Sequence, residues 1–319
     1  MKKLLFTCLL ATAFAAQAQS KWDLPSGYAA NTFQTQNLEQ FVKDVNAASG
    51  GKLAITLHPG ASLFKQPEIK RAIQTGLVPM GEFIISGQSN ENPLFGVDSI
   101  PFLATSYAEA RKLYDAARPV QEKVLAAQGL KLLYSVPWPG QSLYSVSAIN
   151  GPEDLKGSKM RTYNPATTKI AQMLGAAPVT IQLPELGQAL ATGAAQNFLT
   201  SSASGADGKL YEQTKFFYPV NAWYPRNVVA VSQKAFDGLD KATQDALLKA
   251  AAAAETRGWQ ASEKNDADSL KVLQSNGMTI AQPSEALRKE LKRIGETMTA
   301  EWLAAAGPDG KAIVDAYRK

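Results

Sequence analysis

Apolar and polar residues alternate at period two over Lys52 to His58 (KLAITLH), and apolar residues recur at helical spacing over Asn37 to Asn46 (NLEQFVKDVN). With a short strand at Trp22 to Leu24 ahead of them, the chain opens strand, helix, strand, as a βαβ start. The pattern continues with a helix over Gln66 to Thr75, a strand over Met80 to Ile85, one or two helices over Thr105 to Gln128 and a buried strand over Lys131 to Pro137. Such alternation predicts α/β layers around a largely parallel sheet.

A second series follows. It predicts strands over Tyr144 to Ile149, Gly157 to Thr162, Ala177 to Ile181 and near Asn197 to Thr200, with helices over Pro165 to Leu174 and Pro184 to Thr192. Two α/β series joined near Trp138 predict two lobes, and a cleft between lobes is where a small ligand is expected. From Asp240 a run of strong helix formers without proline ends at Asn276-Gly277, a helix stop. Roughly 36 residues at 1.5 Å each extend about 54 Å, more than one small domain, so this helix is expected to cross both lobes. The alternative is two helices broken at Gly258.

The amino terminus adds a compartment. Lys2 and Lys3 precede an apolar run from Leu4 to Ala16 and the triplet Ala16-Gln17-Ala18, the order of a secretory signal cut after Ala18. The run is too short for a bilayer core of about 30 Å and no stop-transfer pattern follows. The alternative is a buried first helix. Cys8, the sole cysteine, falls inside the signal, so the mature chain carries no thiol to cross-link. Losing Lys2 and Lys3 lowers the formal charge from +5 to +3, without a basic block, which argues against nucleic acid or an anionic membrane surface as partners. No second long apolar run appears, so no direct membrane insertion is expected after signal cleavage.

Candidate chemistry is sparse. One histidine, His58, before Pro59 at a strand end, reads as a turn or surface residue, and without a second histidine or a mature cysteine no zinc or copper site is expected. No phosphate-binding, dinucleotide-binding or nucleophile-elbow motif is present, and Gly307-Pro308-Asp309-Gly310-Lys311 reads as a turn. Glu82, Glu91 and Asp98 could pair in a cleft, the one enzymatic route left open. Neither a catalytic residue nor a cofactor is expected.

The segment Asp154-Leu155-Lys156-Gly157-Ser158-Lys159-Met160-Arg161-Thr162-Tyr163 resembles the D-L-K-G-x-K-x-R stretch of the DctP-like, C4-dicarboxylate-type periplasmic solute-binding proteins of TRAP transporters. Gly175 to Val179 (GAAPV), Glu185 to Gly193 (ELGQALATG), Gly51-Lys52-Leu53, Gln74-Thr75-Gly76 and the long late helix continue the likeness. The resemblance implies a two-lobed α/β binding protein of the Gram-negative periplasm that captures a small organic acid and docks on membrane permease subunits. It implies lobes of residues 19–138 plus about 226–268, and 139–225 plus about 269–319. The rivals are an ABC-type binding protein, which usually lacks the long helix, and a periplasmic enzyme using cleft carboxylates.

In that family the arginine of K-x-R, here Arg161, meets a ligand carboxylate, and a planar guanidinium suits two carboxylate oxygens. Read alone, an arginine on a strand is more often a surface or ion-pair residue. A second arginine found in some members falls at Gln141, and the usual V-D-G after A-L-x-x-G is replaced by Ala194-Ala195-Gln196. One arginine-bound carboxylate, with neutral donors at Gln141, Thr200 and Ser201, favours a monocarboxylate. Phe33, Phe64, Trp138 and Trp223 are the aromatic candidates for its apolar face, beside Tyr28 and Tyr224, and Asn221 and Glu82 are further polar candidates with Asn31 and Lys65. Hydroxy or sugar acids suit the Thr200-Ser201-Ser202 cluster, and aromatic or keto acids suit the two tryptophans.

Overall fold

The structure is a computed structural model that describes residues 19–319; the signal segment and Cys8 lie outside the described residues. Three sheets organise the described residues. Strands β1 (Ser20–Pro25) and β2 (Leu53–His58) pair in parallel, joined by helix α1 (Phe33–Ala48), as the opening periodicity predicts. Strands β3 (Met80–Ile84) and β4 (Leu130–Pro137) flank β10 (Arg226–Ser232), and both pairings are antiparallel. The third sheet has the order β11-β9-β5-β8-β6-β7, built from β5 (Ser142–Ser145), β6 (Lys159–Thr162), β7 (Ala177–Thr180), β8 (Asn197–Thr200), β9 (Phe216–Tyr218) and β11 (Thr279–Ile280).

The first sheet is parallel, the second antiparallel and the third mixed, which corrects the expected largely parallel arrangement. β6 runs parallel to β7 and β8, but β5 runs antiparallel to β8 and β9. The physical reason is the return of distant segments. Val228 to Val231 of β10 is an apolar run buried on both faces, and it reaches the slot between β3 and β4 from far along the chain. Periodicity reports that such a strand is buried, not which way its neighbours run.

Helices α2 (Ile69–Gln74) and α3 (Tyr107–Ala127) cover the first part of the chain, and α4 (Pro165–Met173), α5 (Leu183–Ala191) and α6 (Ser202–Asp207) cover the third sheet. The segment before Gln128 is one helix, capped by Ser106 and carrying Pro119 inside it. After the short α7 (Gln233–Asp237), α8 (Lys241–Ser275) runs unbroken for 35 residues, capped by Asp240 through Thr243. Leu247, Ala250 and Ala254 pack in the core with Phe41, Tyr134 and Trp138, and Leu273 at the far end packs with Tyr144 and Phe198. One helix therefore enters two cores, as its length demands.

Gly258 does not break α8; its missing side chain lets the helix lie close against Val136 of β4. A Cβ there would stand 2.4 Å from Val136 Cγ2 and 2.8 Å from Asn37 Nδ2. The last helix, α9 (Glu285–Arg318), kinks at Gly307, whose φ of 59° only glycine adopts readily, and Pro308 restarts it. Among the described residues no helix is long and apolar enough to cross a membrane.

Candidate functional site

Arg161 sits on β6, one strand in from the edge of the third sheet. Strand β6 lies between β7 and β8, with Arg161 opposite Val179 and Phe198. Its Nε donates to the Ile181 carbonyl at 2.8 Å, and its guanidinium lies 4.9 Å from the centre of the Tyr163 ring. Only 3% of the residue is exposed, yet no ion pair among the described residues involves it. Burial pulls its pKa down to about 10, with the Tyr163 and Tyr28 phenols acting in the other direction. A second buried arginine shows the contrast: Arg226 lies 3.4 Å from the Asp98 carboxylate, which also accepts from the Arg226 backbone N–H at 2.9 Å.

Arg161 opens onto a cavity with about 40 Å³ open to the centre of a water molecule, in a hollow of about 470 Å³ counted out to its mouth. Tyr28, Trp138, Gln141 and Thr200 of the expected set line it together with Arg161. Gln66, Tyr163, Gln182 and Ser204 also line it, and among the described residues Arg161 is the one charged side chain in the wall. A hollow with one guanidinium, several neutral donors and three aromatic side chains suits a small monoanion with an apolar body.

The remaining expected residues stand elsewhere. Trp223 lies behind the wall in the core of the third sheet, where its indole N–H donates to the Tyr163 hydroxyl at 3.3 Å. That hydroxyl donates to Gln141 Oε1 at 3.0 Å, and Gln141 Nε2 donates to the Pro139 carbonyl at 3.0 Å. Phe33 packs edge-on against Trp138 with ring centres 5.2 Å apart, outside the cavity wall. Ser201 caps α6, its hydroxyl bonded to Ser204 Oγ at 2.9 Å and to the Ser204 N–H at 3.0 Å. Asn221 accepts from Ser142 Oγ at 3.1 Å, and Phe64 lines a separate surface hollow with Arg71 and Leu77.

Glu82 lies one layer behind the wall. Its carboxylate accepts from Ser26 Oγ at 2.5 Å and from Asn227 Nδ2 at 2.9 Å. Asn227 Oδ1 in turn accepts from the Trp138 indole at 3.0 Å and the Tyr28 hydroxyl at 3.3 Å. Burial pushes the Glu82 pKa up to about 7, against the pull of the Ser26 and Asn227 hydrogen bonds. The carboxylates that could have paired for catalysis are kept apart: Glu82 faces Ser26 and Asn227, Glu91 faces Lys70, and Asp98 faces Arg226.

Tyr163 had a signal in the sequence that reasoning passed over: it lies two positions beyond Arg161, on the same face of an extended segment. Gln66, Gln182 and Ser204 had none, because each belongs to a turn or a helix start whose placement depends on distant strands.

Comparison with known proteins converges on one family. The DctP family, described as bacterial extracellular solute-binding protein, family 7, matches residues 26–305. The Bordetella pertussis extracytoplasmic solute receptor DctP6, binding pyroglutamic acid, is 49% identical, with 94% of this chain and 99% of that chain covered and a TM-score of 0.92. A marine metagenome TRAP solute-binding protein, in complex with co-purified pyroglutamate, is 45% identical over 94% of this chain and 99% of its own, with a TM-score of 0.92. A solute-binding protein of Albidiferax ferrireducens is 26% identical over 82% of this chain and 79% of its own length. With the matched family spanning both the Arg161 strand and the long helix, this chain belongs to the DctP family of bacterial extracellular solute-binding proteins, the binding component of TRAP transport.

Proposed function

We propose that this chain captures pyroglutamate, or a closely similar cyclic monocarboxylate, in the Arg161 cavity and delivers it unchanged to TRAP-type membrane permease subunits. The observation that carries the reading is Arg161: a buried guanidinium without a carboxylate partner among the described residues, in a wall that holds no other charge. A buried cation is costly until an anion meets it, so a ligand carboxylate gains what the protein withholds. The same wall offers an ammonium group no counter-charge. Pyroglutamate carries its nitrogen as a neutral lactam, which favours it over glutamate or proline, whose ammonium would be desolvated without a counter-charge. The two similar structures that hold pyroglutamate support the same ligand.

The signal-like amino terminus supports export to the periplasm, and the lobe boundaries expected near Trp138 and Arg226 place the cavity residues on both sides of the hinge. Closure then follows if the ligand touches both lobes more fully in the closed state. Calorimetry with pyroglutamate, glutamate and proline tests the ligand. Pyroglutamate at 100 times its dissociation constant should stabilise the chain by about 2.7 kcal/mol, with neither amino acid doing so at that concentration. No heat and no stabilisation with pyroglutamate would overturn the reading, as would recovery of a chemically altered acid after incubation.

A further inference from the structure

Among the side chains that line the cavity, Gln66 is the one whose amide nitrogen is sealed from water without a hydrogen-bond partner. The residue is 7% exposed and opens the short turn Gln66–Glu68 that follows β2. Its stem packs closely against Gly27, where a Cβ would stand 2.5 Å from Gln66 Cβ and 2.7 Å from Gln66 Cγ. The other glutamines of the wall differ. Gln141 is committed to Tyr163 and Pro139, and Gln182 is partly exposed, so water can satisfy it. A sealed donor is rarely left unpaired, and the hollow beside it is where a partner can come from.

We propose that Gln66 reads the lactam edge of the ligand: its amide nitrogen donates to the ring carbonyl and its amide oxygen accepts from the ring N–H, while Arg161 takes the carboxylate. A primary carboxamide carries a donor and an acceptor side by side in one plane. A five-membered lactam fixes its own N–H and C=O side by side in the complementary order, so the two edges join through two parallel bonds. The terminal torsion of glutamine is soft, so the carboxamide turns to meet that edge without leaving a rotamer well. Because Gln66 follows β2 and Arg161 lies on β6, one small ring is held from two different sheets. This inference rests on the pyroglutamate reading and adds the residue that tells a lactam from a plain ring acid.

The experiment compares pyroglutamate with cyclopentanecarboxylate, which has the same ring size and carboxylate but no lactam. Affinities are measured by calorimetry for the unsubstituted chain, Gln66→Met and Gly27→Ala, with folding checked by circular dichroism. The unsubstituted chain should prefer pyroglutamate, and Gln66→Met should weaken pyroglutamate by about ten- to a hundredfold while changing cyclopentanecarboxylate by less than about threefold, the size of two neutral hydrogen bonds. Gly27→Ala, which pushes the Gln66 stem aside, should collapse the same preference. An unchanged ratio between the two acids in Gln66→Met, or equal weakening of both, overturns the role of Gln66 and leaves the ligand standing. Failure of the unsubstituted chain to bind pyroglutamate removes the ligand reading and this one with it.

Discussion

Asn227 turns its amide nitrogen to Glu82 at 2.9 Å, and that contact fixes its oxygen toward the Trp138 indole and the Tyr28 hydroxyl. An asparagine can be flipped, but the Trp138 indole can only donate, so the orientation that turns Oδ1 toward it survives. Replacing Asn227 by Leu strands the Trp138 N–H and one Glu82 oxygen. It should destabilise the chain by roughly 2–5 kcal/mol in urea denaturation, mostly as buried polar groups left unpaired. An unchanged midpoint would show that water replaces the amide.

Glu82 also gives the chain a pH dependence with a defined sign. Its pKa is raised from 4.5 to about 7 in the folded chain, so between those values the folded state holds a proton that the unfolded state has lost. Its contribution is present below pH 4.5 and is lost as pH rises toward 7. Glu82→Gln, which keeps an acceptor for Asn227 and a donor for Ser26, should flatten the fall in stability between pH 5 and 7. Asp98, raised to about 6, acts with the same sign, so the slope should shrink rather than vanish. Denaturation midpoints at pH 5 and 8 for both chains check this, and parallel slopes would refute it.

Arg161 should divide stability from binding. Its pKa is lowered from 12.5 to about 10, so throughout the neutral range the folded state carries a charge that burial penalises. Arg161→Met should therefore raise the stability of the ligand-free chain, by at most roughly 3 kcal/mol, the free energy of that shift. The same substitution should weaken pyroglutamate by about thirty- to several-thousand-fold. Thermal denaturation without ligand and calorimetry with it must move in opposite directions, and a loss of both would mean that the guanidinium serves the fold.

Gly258→Ala sets helix propensity against packing. Alanine is favoured in a helix by about 1 kcal/mol, but here its methyl would meet Val136 at 2.4 Å. Overpacking of that kind costs about 1–3 kcal/mol, so the substitution should leave stability unchanged or lower it. A clear rise in the denaturation midpoint would show that the helix shifts freely off the sheet.

Much of this was legible in the sequence, for identifiable reasons. Strands such as β8 at Asn197–Thr200 fall where alternation puts them, and the long helix follows from an uninterrupted run of helix formers. Arg161 was reachable because its segment carries a recognisable order of residues around one buried strand. Trp223 and Glu82 mark the limit: composition identifies a large aromatic and a carboxylate near the site, but not that each stands one layer behind the wall, holding Tyr163 and Asn227 in place. Gln66 is the converse. It opens the segment predicted as a helix over Gln66 to Thr75, and helical spacing says nothing of the Gly27 backbone that packs against its stem.

The uninterrupted course of α8 has a mechanical meaning. A bar of about 52 Å seated in one core near Leu247 and in another near Leu273 has no joint of its own. A change in the angle between the sheets must then be taken up as bending spread along the bar, or as slip along one of its seams. The tight seam is at Gly258, where backbone meets Val136 with no side chain between them, so slip belongs to the end beyond it. Were the cleft to open, α8 would carry the strain along its length, and a stiffer bar should slow the release of a ligand.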